Sequence, residues 1–202
     1  MGSDAHVIVV GGPCGLDEQA RRRIDDLEQR WSRFRPDSEV SELNRRAGVP
    51  VRVSGETIEL IERAVDAWLL SGGTFDPTVL GAVIRAGYDR SFDELGPAPP
   101  PGRSPLGIGL ADIEIDGDTV RLPAGTGFDP GGIGKGLAAD IVVEEVLAKA
   151  VLLRGAAHAF DILGGTGAQG LVVEDGGRIH TTPAFSSYAS GVDLPARLAP
   201  AS

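Results

Sequence analysis

Cysteine is nearly absent: Cys14 is the single one in 202 residues. That excludes an intrachain disulfide and any metal site built from cysteines alone. Cys14 sits between Pro13 and Gly15, where an idle thiol in a turn is expected rather than a nucleophile. Aromatic residues are scarce, at 5%, so the core has to come mainly from Val, Ile, Leu and Ala. Long apolar runs are missing as well. No stretch approaches the ~18 apolar residues a membrane span needs, and no basic start followed by an apolar run marks a secretory leader. No transmembrane segment and a cytoplasmic location are therefore expected. Grouped positive charge is lacking too. The formal net charge is −10, and a nucleic-acid partner is not expected, because neutralising phosphates takes clustered Lys and Arg. The triplet Arg21-Arg22-Arg23 is followed at once by Asp25, Asp26 and Glu28 and reads as a solvated helix face. His6, His158 and His180 lie far apart, with no zinc-ligand spacing between them.

What is present is the composition of a folded domain: 42% hydrophobic and 24% charged residues, with 29 glycines and 14 prolines to make many turns. Residues 5–10 read as a short β-branched strand closed by Gly11-Gly12-Pro13. A helix over about Asp17–Phe34 follows from apolar residues at Leu16, Ala20, Ile24, Leu27, Trp31 and Phe34, with Pro36 as its stop. A short helical stretch is expected near Val40–Arg45. A second long helix is expected over Ser54–Leu70, capped by Ser54, with Ile58, Ile61, Val65 and Trp68 as its apolar stripe and Gly72-Gly73 as its end. A short helical pattern comes after Asp76-Pro77-Thr78, and a proline-rich connector covers 92–105. Asp116-Gly117-Asp118 marks a hairpin between 113–115 and 119–122. A glycine-rich turn leads into a helix over 128–147. Residues 157–163 read as a strand, 170–182 as a second hairpin around Asp175-Gly176-Gly177, and 183–202 as a loose tail. Helices mixed with antiparallel hairpins give an α+β class.

Three segments carry chemistry. The first is Phe128 to Asp140, FDPGGIGKGLAAD. Its glycines let backbone N–H groups approach a phosphate, the following helix offers its N-terminal amides to the same place, and Lys135 adds a full positive charge. Lys135 is one of only two lysines in the chain. Asp129 can accept from a hydroxyl or a base N–H, or hold a metal-bound water. The P-loop pattern fails here, because Asp129 occupies its first glycine position and Gly136 its hydroxyl position. A plain glycine-rich turn with a surface lysine stays open as an alternative. The second segment, Gly72 to Thr78, presents Phe75 to a flat ring and Asp76 to a polar edge; the alternative is an Asx-Pro turn with a core phenylalanine. The third, Ser32 to Asn44, is a polar rim with Phe34 at its base.

Together these segments resemble the ApbE family, in the family's order. Met1-Gly2-Ser3 stands for its opening strand. Ser32, Phe34, Ser38, Val40, Leu43 and Asn44 match its S-x-[YF]-x-x-x-S-x-[LV]-x-x-[LI]-N segment. Gly73, Phe75, Asp76, Pro77 and Thr78 match G-x-F-D-P-T, and Asp129 to Asp140 match the D-x-G-G-I-A-K-G-x-x-x-D signature with Gly134 for the alanine. Residues 162–166 are similar to the later N-L-G-G-D, with Thr166 for the aspartate. The family's subsequent His-x-Ile-x-Asp-Pro-x-Thr-Gly segment, late Asp and late Thr are not found.

The resemblance implies an α+β, T-fold-like, mixed and mostly antiparallel sheet with packed helices. It covers about residues 1–166 and implies a partial flavin-transferase domain over 1–182, incomplete or diverged toward its C-terminus, with the loose stretch 183–202 expected to be a disordered tail outside it. It implies an Mg²⁺-dependent FAD:protein FMN transferase that uses FAD as substrate, moves FMN to a threonine of a target flavoprotein and releases AMP. Carried over, Met1, Phe34, Thr74, Phe75 and Asp76 would line the FAD site, Asp129 and Lys135 would contact the flavin nucleotide, and Gly132 would offer its carbonyl to Mg²⁺. No catalytic residue is assigned. A non-catalytic FAD-binding module and an inert truncated homologue remain the alternatives.

Overall fold

Helix α1 (Leu16–Trp31) forms where the three-to-four spacing predicts it. Leu16, Ala20, Leu27 and Trp31 are buried. It ends at Trp31, well before the proline expected to stop it. The turn that follows is held by its own serines. The buried Ser38 hydroxyl donates to the Ser32 carbonyl at 2.7 Å and accepts from Ser41 N–H at 3.0 Å, so one side chain closes the turn and caps the next helix. That helix, α2 (Glu39–Arg45), buries Val40 and Leu43.

In the computed structural model the described residues are 7, 14–90, 110–154, 160–161, 163, 169–173 and 178–185. The first strand expected from sequence (all but Val7, which is in no regular element), the proline-rich connector, Met1 and the tail after 185 lie outside them. Described helices and short antiparallel sheets together give the expected α+β class.

Strand β1 (Val51–Arg52) was not expected from sequence; two residues are too few to show a period. It pairs antiparallel with β3 (Thr119–Arg121), which pairs antiparallel with β2 (Glu114–Asp116), giving the order β1-β3-β2. The β2–β3 hairpin turns at Asp116-Gly117-Asp118 as expected, and Gly117 takes φ 58°, the left-handed region this turn needs.

Helix α3 (Gly55–Leu70) starts at the expected cap: Ser54 Oγ accepts from Thr57 N–H at 3.4 Å. Its buried residues are Thr57, Leu60, Ile61 and Ala64; of the expected stripe Ile61 is among them, and Ile58, Val65 and Trp68 are not. The cause is polar. Glu39 of α2 accepts from Ser54 N–H, from Ser54 Oγ at 2.8 Å and, in a short bond, from Thr57 Oγ1, which draws the Thr57 side inward. Gly72 and Gly73, at φ 59° and 80°, end the helix as expected. Helix α4 (Leu80–Arg85) follows.

A one-turn 3₁₀ helix, Pro130–Gly132, leads into α5 (Gly134–Arg154). Of the strand expected over 157–163 the described residues, Phe160, Asp161 and Leu163, are helical instead. A short apolar run without clear alternation does not separate strand from helix. Strands β4 (Leu171–Val173) and β5 (Ile179–Thr181) make the expected antiparallel hairpin. His180 in β5 lies 6.2 Å, centroid to centroid, from the Phe160 ring.

The chain divides into two compact units, one built on Arg21–Asp140 and the other taking in the chain from Ile141. The core of the first holds Leu27, Trp31, Leu43, Leu60, Val120 and Phe128, all at 0–1% exposure. Within this unit Asn44 at the end of α2 binds both backbone groups of Phe128. Its Nδ2 donates to the Phe128 carbonyl at 2.9 Å, and Phe128 N–H donates to its Oδ1 at 2.7 Å.

Two outcomes follow from these contacts. Asn44→Ala strands the N–H and C=O of a fully buried residue and is expected to lower unfolding free energy by about 2 kcal/mol, read from urea denaturation. Glu56, in the first turn of α3, has its carboxyl held below the ordinary 4.5, first by its own backbone N–H and then by Arg23, against the opposing effect of burial. A depressed folded value means this stabilisation is present above 4.5 and lost as pH falls through the folded value. The stability gap between the parent and Glu56→Gln, from melts across pH 3–7 (a span set by the usual carboxylate range), should close on the acid side.

Candidate functional site

The Phe128 clip fixes the start of the glycine-rich bend, and the Gly72–Thr78 corner fixes its other side. Asp129 N–H donates to the Pro77 carbonyl at 2.7 Å, Leu80 N–H donates to Gly127 O at 3.2 Å, and Val79 and Gly127 form a parallel bridge. The Phe75 ring lies close enough to the bend that a Cβ added to Gly132 would stand 2.6 Å from its Cε2. The two segments singled out in the sequence are thus neighbours.

Beside them a cavity of about 430 Å³ opens, walled by the end of α1 (Trp31 to Phe34), by Val83 and Tyr88, and by Asp129 to Gly131 with Lys135. Three expected site residues, Phe34, Asp129 and Lys135, meet there. The others are placed differently. Asp76 is engaged in its own turn, accepting from Thr78 N–H at 2.8 Å and from Thr78 Oγ1 at 2.5 Å. Thr74 is exposed, Phe75 packs on Gly132, and neither they, Asp76 nor Gly132 walls the cavity.

Arg33 organises the cavity wall and was missed as a site residue. Its guanidinium lies 4.1 Å from the centroid of the Phe34 ring, its Nη2 donates to the Tyr88 carbonyl at 2.7 Å, and its Nε is 3.5 Å from Asp129 Oδ2. The signal available was its position between the motif residues Ser32 and Phe34. Asp129 Oδ1 meanwhile accepts from Gly131 N–H at 2.9 Å, holding the first turn of the bend. Arg90, also on the wall, pairs with Asp89, and this hydrogen bond leads the effects that hold the Asp89 carboxyl below its usual range. Lys135 differs: it is exposed at the first turn of α5, and among the described residues no hydrogen bond or ion pair engages its ammonium. Trp31, expected only as a core position of α1, forms part of the wall as well.

Among the described residues no group of three or more His, Cys, Asp or Glu is placed to hold a metal ion, and no helix is long and apolar enough to cross a membrane. The arrangement offers an apolar and aromatic interior, with cationic groups at Arg33, Arg90 and Lys135 against the single carboxylate of Asp129 on the wall. It suits a ligand with a flat ring and an anionic arm.

Comparison with known proteins bears on this site. No curated protein sequence matches the chain. Among solved structures, the apo flavinyl transferase ApbE of Pseudomonas stutzeri is similar at 22% identity and TM-score 0.57, over 68% of this chain and 48% of that one. The ApbE protein of Thermotoga maritima is similar at 22% identity and TM-score 0.53, over 84% and 49%. The flavin transferase ApbE of Vibrio cholerae is similar at 23% identity and TM-score 0.54, over 69% and 46%. The chain spans about half the length of these structures, and at such identity they speak for the fold. The ApbE family profile matches residues 1–182, and with that match the chain belongs to the ApbE family.

Proposed function

We propose that the cavity beside Phe34 and Lys135 binds FAD, and that the chain acts as a flavinyl transferase, moving FMN from FAD to a threonine hydroxyl of an acceptor flavoprotein with release of AMP. The observation that carries this reading is convergence. Phe34 lies far from Asp129 and Lys135 in sequence, yet all three wall one cavity, and its volume of about 430 Å³ falls in the range of small-molecule sites. The solved relatives described above as flavin or flavinyl transferases support the reaction class.

In this reading the acceptor hydroxyl oxygen bonds to the phosphorus of the FMN half. The bond from that phosphorus to the bridging oxygen breaks, AMP leaves with the bridging oxygen and its electron pair, and the hydroxyl proton passes to solvent or a base. The chain's own contribution is electrostatic. Lys135, unpaired among the described residues, sets an ammonium on the cavity wall beside the anionic arm, from the first turn of α5. Arg33 holds Asp129 and Phe34 in place rather than standing free.

Mg²⁺ takes about six oxygens in octahedral array. Near Gly132 the one carboxylate on the bend, Asp129, is already committed to Gly131 N–H and Arg33. The described residues do not by themselves make a magnesium site. That observation favours a second reading, an FAD-binding module without transfer.

Titration with FAD followed by flavin fluorescence, with and without Mg²⁺, separates the outcomes. Saturable binding on the order of tens of micromolar or tighter with AMP release in the presence of an acceptor peptide supports transfer. Binding without AMP release supports the module, and no fluorescence change removes both. Lys135→Met is expected to weaken FAD binding about tenfold and to flatten its salt dependence, with riboflavin binding unchanged. Gly132→Ala should cost about 1–3 kcal/mol in urea denaturation, because its Cβ collides with the Phe75 ring.

A further inference from the structure

Trp31, Phe34 and Tyr88 are the aromatic residues of the cavity wall, and they differ in how much of each is open. Trp31 is sealed, at 0% exposure. Phe34 is half-buried, and the Arg33 guanidinium stands 4.1 Å from its ring centroid, so one of its faces is taken. Tyr88 is 42% exposed. Its place follows from the way α4 ends. Gly87 takes φ 95°, its N–H donates to Ile84 O at 2.9 Å, and Tyr88 N–H donates to Val83 O at 3.1 Å. Such a glycine-closed end brings the residue after the glycine back toward the last turn of the helix, here to Val83, another wall residue. The Tyr88 carbonyl accepts from Arg33 Nη2 at 2.7 Å. Both backbone polar groups of Tyr88 are thus held. Its side chain, by contrast, makes no hydrogen bond and no ring contact among the described residues. A lone exposed ring is ordinary on a surface. This one stands on a backbone pinned from two sides at the wall of a cavity.

We propose that Tyr88 is the specificity-determining residue for the ligand's flat ring, its phenol stacking on the flavin ring in the reading given above. The inference rests on that reading and adds to it the side chain that meets the ring. A flat, electron-poor heterocycle is best received by an open, electron-rich aromatic face. Among the aromatic residues of the wall, Tyr88 leaves the most surface for one. A tyrosine suits such a place better than a phenylalanine. Its ring is covered when a ligand is bound, and its hydroxyl stays with water when the cavity is empty. Stacking is indifferent to the ligand's charge, so the anionic arm is left to Lys135, also on the wall.

The test separates a stacked ring from mere bulk. Riboflavin, which has the flavin ring and no phosphate, is titrated by calorimetry against the full chain and its Tyr88→Ala, Tyr88→Leu and Tyr88→Phe variants. The expected result is a riboflavin Kd raised about tenfold in Tyr88→Ala and Tyr88→Leu and kept within about threefold of the parent in Tyr88→Phe. Because Tyr88 is exposed, the urea midpoint should be the same in all four chains. A second readout is the emission of bound riboflavin at matched saturation. An excited flavin takes an electron from a phenol in contact with it and not from a benzene ring, so bound riboflavin should be brighter in Tyr88→Phe than in the parent. A structural role would not move that signal, and it decides the matter if Tyr88→Ala or Tyr88→Leu is destabilised. A parent Kd in Tyr88→Ala, a rescue by leucine as full as that by phenylalanine, equal emission from the parent and Tyr88→Phe, or a parent that holds FAD but not riboflavin overturns the proposal while leaving FAD binding intact. A parent chain that binds neither riboflavin nor FAD overturns the functional reading, and this inference with it.

Discussion

The two hydrogen bonds between the Asn44 amide and the backbone of Phe128 are the constraint on which the site depends. Phe128 is fully buried, so its N–H and C=O need partners away from water. A strand would supply them from a neighbour, but the chain must turn here into the glycine-rich bend. A primary amide, with one donor and one acceptor at fixed separation, substitutes for that missing strand. Aspartate would lack the donor. Once Phe128 is fixed, Asp129 N–H reaches Pro77 O, the bend lies against Phe75, and α5 begins with Lys135 on the cavity wall.

The opposite wall is set by a different kind of interaction. Arg33 holds three partners at once, a ring, a carbonyl and a carboxylate, and its planar guanidinium can do so where an ammonium could not. At 3.5 Å, its contact with Asp129 is an ion pair without a short hydrogen bond. Its role is one of register: it ties the end of α1 to the bend and to Tyr88 beyond α4. Ser38 and Asn44 are spent on backbone in the same way. Most of the polar residues of this rim hold the walls in place and leave Lys135 with an unengaged charge.

How much of this could be read in the sequence differs by element, for physical reasons. Helices α1 and α3 were legible because their apolar spacing is long enough to show a period, and the Asp116-Gly117-Asp118 hairpin because a tight turn needs glycine in the left-handed region. The end of α1 was misplaced because Pro36 is a local signal, whereas the real stop is the Ser38–Ser32 bond. The buried face of α3 was misplaced because a hydropathy stripe cannot anticipate that Thr57 turns inward to a carboxylate of another helix. Strand β1 escaped because two residues carry no pattern, and 157–163 misled because its apolar run lacked one. In the site, Phe34, Asp129 and Lys135 were found through motif order. Trp31 and Arg33 were not, because a tryptophan in an apolar stripe and an arginine in a polar loop look ordinary until the cavity is seen.

A net charge of −10 does not by itself bar an anionic ligand from one cavity. At physiological ionic strength screening acts over roughly 8 Å, so an anion at the cavity senses the groups on its wall more than the sum over the chain. Several carboxylates are also locally offset: Asp26 lies against Arg23 and Arg30, Glu42 against Arg45 and Arg46, Asp118 against Arg52, and Glu114 against Arg121. On the wall Arg33 offsets Asp129, which leaves Lys135 as the unbalanced charge facing the cavity among the described residues. The global charge bears instead on long polyanions, which must meet many surface charges at once. In the proposed reading the local charge sets what the cavity would admit, an anion short enough to meet one lysine while its ring lies beside Phe34.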